Sequence, residues 1–226
     1  MSVLDACKSA ATKLNQPRPS TVYGATTPFA QELADLANET ATAIAKAHDW
    51  RRLTTLATIT GDGSDTSFPL PVDYDRMPLD SNVYGSLARL PFLKARDLDQ
   101  WLEFDITPVV GAPGYWINLG GEIQIKPAMA STQTARYYYQ SNIIVSGGKT
   151  AFTVDGDAFL LPERLLTLGI VWRWKAQKGF EYSEHQKNFE IAFGEEAGRD
   201  KGSRILYMGQ PRIPDGASIA YPGYIA

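Results

Sequence analysis

The chain has 226 residues, 44% of them hydrophobic and 21% charged, with a formal net charge of −3. A chain of this length buries roughly 70% of its unfolded surface, enough for one two-layered domain or two small subdomains. The composition is ordinary for a globular protein, and the slightly acidic balance argues against a groove that grips nucleic-acid phosphates.

Cys7 is the single cysteine, and His48 and His185 are the two histidines. No intrachain disulfide, thiolate zinc site or histidine-rich metal centre is therefore expected. The opening Met-Ser-Val-Leu-Asp-Ala-Cys-Lys lacks the basic start and apolar core of a signal peptide. No apolar run reaches the roughly 20 residues that span a bilayer. The expectation is a soluble protein made in a reducing compartment, with no cofactor and no membrane partner.

Ser2 to Leu14 reads as a first helix, with Ser2 as N-cap and Asp5 near the free amides. Val3, Ala6, Cys7, Ala10, Ala11 and Leu14 form a stripe of small apolar groups suited to close helix packing. Asn15 to Thr26 holds Pro17, Pro19 and Gly24 and reads as a loop. A second helix starts with Thr27 as N-cap and Pro28 at the first helical position. Its apolar face is Phe29, Leu33, Leu36, Ala37, Thr40, Ile44 and Ala47, with Glu32, Asp35 and Glu39 outside it. Those acids read as a solvated face, or alternatively as the lining of a channel or a subunit contact. The helix ends in His48-Asp49-Trp50-Arg51-Arg52, a joint at which Trp50 packs and the two arginines cap the helix or reach a neighbouring subunit.

From Leu53 the period changes to that of strands. Leu53 to Pro71 holds two strands around Gly61-Asp62-Gly63-Ser64-Asp65, which turn chemistry explains better than calcium because no distal bidentate Glu follows. Val83-Tyr84, Leu90 to Lys94, Thr134 to Tyr139 and Phe152 to Val154 read as further strands, the last closing the sheet. Asp97 to Phe104 reads as a short helix capped by Asp97. Tyr115 to Leu119 and Glu122 to Lys126 flank Gly120-Gly121 and form the clearest hairpin. Pro162 opens another helix with Leu165, Leu166, Leu168, Gly169, Trp172 and Ala176, ended by Gly179. Of Trp172 and Trp174, one is expected in the core and one facing a partner. Ser183 and Gln186 form a capping-box pattern for a last helix with Tyr182, His185, Phe189, Ala192 and Phe193 on one side. Ser203 to Ala226 is rich in Pro, Gly and large apolar groups, a composition that suits an extended arm ordered by a partner.

The chain lacks a nucleophile elbow, a His-Glu-x-x-His pair and a phosphate-binding Gly-x-x-x-x-Gly-Lys loop, and no carboxylate pair is matched to a histidine. An enzyme is the least supported class. The order of elements instead resembles the head-to-tail adaptor, or gatekeeper, proteins of tailed bacteriophages. The resemblance covers about residues 1 to 200. It rests on Ala-His-Asp-Trp-Arg-Arg-Leu at the end of the second helix, Phe-Pro-Leu-Pro-Val-Asp-Tyr-Asp-Arg-Met after the first strands, Gly-Gly-Glu-Ile-Gln-Ile-Lys-Pro-Ala, and Ala-Arg-Tyr-Tyr-Tyr before two closing helices.

That resemblance implies an α+β fold: a four-helix bundle from residues 1–52 and 160–202, a β-rich sandwich- or barrel-like insertion over 53–159, and a C-terminal arm over 203–226. It implies a structural virion protein made in the host cytoplasm, a ring of about twelve copies between portal and tail. The DNA passes through without specific binding, and a tail, nozzle or tail-tube protein lies beyond. Arg51, Arg52, Trp174, Ile219, Tyr221, Tyr224 and Ile225 are the residues expected at portal or subunit interfaces. The insertion is larger than in the smallest members of the family. The alternative reading is a carbohydrate- or receptor-binding tail accessory module, suggested by Tyr115, Trp116 and Tyr137 to Tyr139.

Overall fold

The computed structural model describes residues 2–79, 81–87, 91–106 and 113–201. In chain order its helices are α1 (Val3–Lys13), α2 (Pro28–Ala47), α3 (Leu98–Ile106), α4 (Glu163–Gln177) and α5 (Ser183–Lys201). The strands are β1 (Thr54–Thr60), β2 (Ser67–Pro69), β3 (Tyr74–Arg76), β4 (Tyr84–Gly85), β5 (Leu93–Lys94), β6 (Tyr115–Leu119), β7 (Glu122–Lys126) and β8 (Thr134–Ser141). The fold is α+β, as expected, and divides into two compact units. The first runs to Thr54 and resumes at Ser141; the second holds Thr55–Gln140.

In the first unit α1 begins with a complete capping box. The Asp5 amide donates to Ser2 Oγ at 3.3 Å, and the Ser2 amide donates to an Asp5 oxygen at 3.1 Å. Its small-residue stripe, Val3 through Ala11, is buried. Helix α2 starts with Pro28 after Thr27, which makes no side-chain cap bond. Its Leu33, Ala37, Ala41 and Ile44 are fully buried. Helix α4 packs against α1, α2 and α5 and so forms the centre of the unit. Leu165, Leu166, Ile170 and Val171 bury on its inner sides. Gly169 lets α2 approach closely: a Cβ there would lie 2.3 Å from Thr40 Cγ2.

Two expectations fail at α5 and at the unit boundary. The Ser183–Gln186 capping box does not form, because Ser183 is already helical; its amide is instead held by the Glu181 carboxylate at 3.0 Å. Phe152 to Val154 is not a strand of the sheet. The whole segment from Ser141 belongs to the first unit, and Ile144, Val145, Phe152 and Leu161 are buried in the helical core. The return to the helical unit therefore falls near residue 141, not near 160. The segment is held by side chain to backbone bonds. Asn38 clamps Phe152, accepting from its amide at 2.7 Å and donating to its carbonyl at 3.3 Å. The Asp155 carboxylate accepts from the amides of Val22 and Tyr23, each at 2.9 Å, and from the Thr21 hydroxyl.

The second unit contains two four-stranded sheets. In one, β8 lies between β1 and β3 and also pairs with β4. In the other the order is β2-β7-β6-β5, antiparallel except for the parallel β5–β6 pair. The β6–β7 hairpin forms as expected, with Leu119 opposite Glu122 and positive φ at Gly120 and Gly121. The Asp97 cap of α3 also forms, accepting from the Gln100 amide at 2.8 Å. The expected strand over Leu90 to Lys94 is confined to β5, and Leu90 lies outside the described residues.

Candidate assembly surfaces

Among the described residues no group of three or more His, Cys, Asp and Glu could hold a metal ion. Cys7 is buried, and burial, aided by the Asp155 charge, pushes its thiol up to about 12, so it stays protonated and unreactive. His185 Nε2 lies 2.7 Å from Lys175 Nζ, both residues half-buried between α4 and α5. His48 packs edge-on to Trp50 at 4.8 Å between ring centres, 3.5 Å from Asp200.

The joint after α2 is built around Trp50, which is 2% exposed. Its indole N–H donates to the Ile44 carbonyl at 2.8 Å, satisfying one of the acceptors that a helix end leaves over. Phe193 of α5 meets its ring edge-on at 5.9 Å. The Arg51 amide donates to Asp200 of α5 at 2.9 Å. Arg52 is exposed and lines a groove of about 500 Å³ with Trp50, Phe159, Leu160, Leu161, Pro162, Glu163 and the α5 residues Glu196, Arg199 and Asp200.

Trp174 is the core member of the tryptophan pair. It is 7% exposed, stacks on Phe180, meets Phe29 edge-on and donates to Glu32 at 3.1 Å. Trp172 is half-buried against Phe189 and Tyr182. Burial of Trp174 corrects the expectation that it faces a partner. Two of the three acids on α2 are not simply solvated: Glu32 binds Lys178 at 2.6 Å and Glu39 binds Arg173, both on the α4 side. Lys178 and Trp174 hold the Glu32 carboxyl below the usual range.

The aromatic residues that suggested a sugar- or receptor-binding face are mostly interior. Trp116, Tyr137 and Tyr139 are 2%, 2% and 4% exposed, and of this set Tyr138 alone is more than half exposed. Their burial removes the observation on which that reading stood. The second unit instead exposes an apolar stripe that sequence reading missed. Leu98, Leu102 and Ile106, four residues apart on α3, are 59%, 61% and 80% exposed, while Trp101 beside the stripe is buried. The spacing was visible in the sequence, but Trp101 and Phe104 look just as much like a core face. Ile219, Tyr221, Tyr224 and Ile225 lie outside the described residues.

Among the described residues no helix is long and apolar enough to cross a membrane. No curated protein matches the chain. The family model described as SU10 adaptor protein matches residues 1–213, which take in every helix and strand above. A match of that extent establishes that the protein belongs to the SU10 adaptor protein family, and so points to a structural component of the phage virion.

Proposed function

We propose that the protein is a ring-forming adaptor that joins the portal to the tail and lines part of the DNA exit channel. The family match over residues 1–213 carries this reading. In it, four helices of the first unit form the ring-building bundle, and about twelve copies close through heterologous contacts, each copy offering two different faces. The segment 203–226 reaches the portal through Ile219, Tyr221, Tyr224 and Ile225, and the second unit meets a tail or nozzle protein. The excess of acidic over basic residues keeps the lumen from binding phosphates, so that DNA slides through.

The test is assembly on the portal. Full-length protein mixed with portal rings should co-elute as a complex whose light-scattering mass fits a closed ring. Deletion of residues 203–226 should abolish that complex and leave the circular dichroism of the subunit unchanged. Normal portal attachment by the truncated chain would overturn the role of the arm. Absence of any complex with the full chain would overturn the adaptor reading.

A further inference from the structure

Among the described residues, β1 is the longest strand at a sheet edge and the least guarded. A sheet edge presents a row of unpaired amides and carbonyls, which proteins protect with short strands, proline or charge. The other edges have such protection. Strand β2 ends in Pro69, β3 carries Asp75 and Arg76, β5 carries Lys94, and β4 is Tyr84–Gly85 alone. Strand β1 reads Thr-Thr-Leu-Ala-Thr-Ile-Thr, without charge or proline. Among the described residues its ladder neighbour is β8 alone, and no described loop bonds its backbone from the other side. Thr55, Leu56, Thr58 and Thr60 are exposed, Leu56 at 48%.

The end of α5 lies at the start of this edge. Asp200 is the last residue but one of α5, and its carboxylate accepts from the Arg51 amide at 2.9 Å. Strand β1 begins three residues after Arg51, so chain connectivity alone keeps its start within about 11 Å of that bond. Ser203 follows Asp200 by the same three residues. From there Ser203 to Met208 reads Ser-Arg-Ile-Leu-Tyr-Met between Gly202 and Gly209, a run with the composition of a strand. Its six residues nearly match the seven of β1.

We propose that residues 203–208 add to β1 as a further strand of the same chain, parallel to it, with Ser203 beside Thr54. Main-chain bonds then satisfy the open edge, as they do when an extended peptide adds to a sheet. Both segments leave one point, so they run the same way. Side chains at one level of neighbouring strands share a face. Leu206 and Met208 therefore join Ala57 and Ile59 on the side that packs into the core of the second unit. Ile205 and Tyr207 lie outside, beside the exposed Leu56 and Thr58. A segment tethered at the edge meets it at an effective concentration of about millimolar, which favours it over a second copy. The pairing fixes the root of the C-terminal segment and leaves 209–226 for the proposed contact with the portal. It goes beyond that reading and does not depend on it.

Hydrogen exchange of the full chain should show slowed amides in 205–208 and along β1. Ending the chain at Gly202 should speed exchange in β1 by roughly tenfold or more, as loss of a bonded neighbour does. Leu206→Pro in the full chain, which removes one amide donor, should do the same. Ending the chain at Gly209 should leave β1 protected. In the Leu56→Cys/Ile205→Cys double variant a disulfide should close within one chain, since residues side by side on neighbouring strands lie about 5 Å apart. Leu56→Cys/Tyr207→Cys, displaced by two residues, should close roughly tenfold more slowly or worse. Cys7, buried and protonated, does not compete. Exchange in β1 that is the same with and without 203–208 would overturn the proposal, and equal closure of the two cysteine pairs would overturn its register. Protection lost on dilution, with disulfides that join two chains, would make a second copy the occupant and overturn it too. Failure to bind the portal while β1 stays protected would overturn the adaptor reading and leave this pairing standing.

Discussion

Asp157 is 6% exposed in a loop without periodicity, and its carboxylate accepts from the Thr153 amide at 2.7 Å, the Val154 amide at 3.0 Å and Lys149 Nζ at 2.7 Å. Burial alone would raise its pKa. The lysine and the two amides outweigh it and hold the carboxyl down at about 2, against an ordinary 3.8. A depressed folded-state pKa stabilises the protein above the unfolded value and loses that contribution as pH falls through the folded value. The first unit should therefore lose about 2 kcal/mol between pH 4 and pH 2 from this group. Asp157→Asn should lower the urea-unfolding free energy by a similar amount at pH 7, with a difference from the parent that shrinks as pH is lowered. An undiminished difference at pH 2.5 would show that the carboxylate charge is not what holds the loop.

At the scale of elements, the crossing of α2 and α4 has no room to spare. Gly169→Ala would place a methyl against Thr40 Cγ2 and should destabilise the first unit by about 1–3 kcal/mol, an overpacking cost. Thr40→Ser removes the obstructing methyl, so the double variant should recover most of the loss in a thermal or urea melt. Helices of this kind were legible because their apolar positions recur at three and four residues. The β6–β7 hairpin was legible for the same reason, through Gly120-Gly121. The segment from Ser141 to Leu161 was not. Its Ile144, Val145 and Phe152 have no period, and the segment is tied down by Asn38 at Phe152 and by Val22 and Tyr23 at Asp155, bonds that each span more than a hundred residues of chain. Buried Trp116 and Tyr137 misled in the opposite direction, since an aromatic run on a strand reads equally as core or as exposed platform. The Trp50 joint was legible as a joint, but its groove was not, because its α5 wall is brought in by contacts such as Arg51 to Asp200, 149 residues apart in the chain.

On the scale of the molecule, among the described residues the first unit is discontinuous in the chain and the second is continuous. Helices α1 and α2 both bury their apolar faces against α4, and that dependence can be tested. Residues 1–54 alone should show little helix by circular dichroism, as short isolated helices are marginal in water. Mixing them with residues 141–201 should recover the helical signal, and strong helicity of the first fragment alone would contradict the dependence. The same discontinuity sets a schedule on the ribosome. More than a hundred residues separate the end of α2 from the start of α4, so at usual synthesis rates the first two helices wait roughly 6 to 20 s for their partner. During that wait Thr55–Gln140 emerges complete, with both its sheets closable from its own strands. The later-synthesised unit should therefore fold first, with the apolar faces of the earlier-made helices still uncovered, an order that protease protection of stalled nascent chains checks.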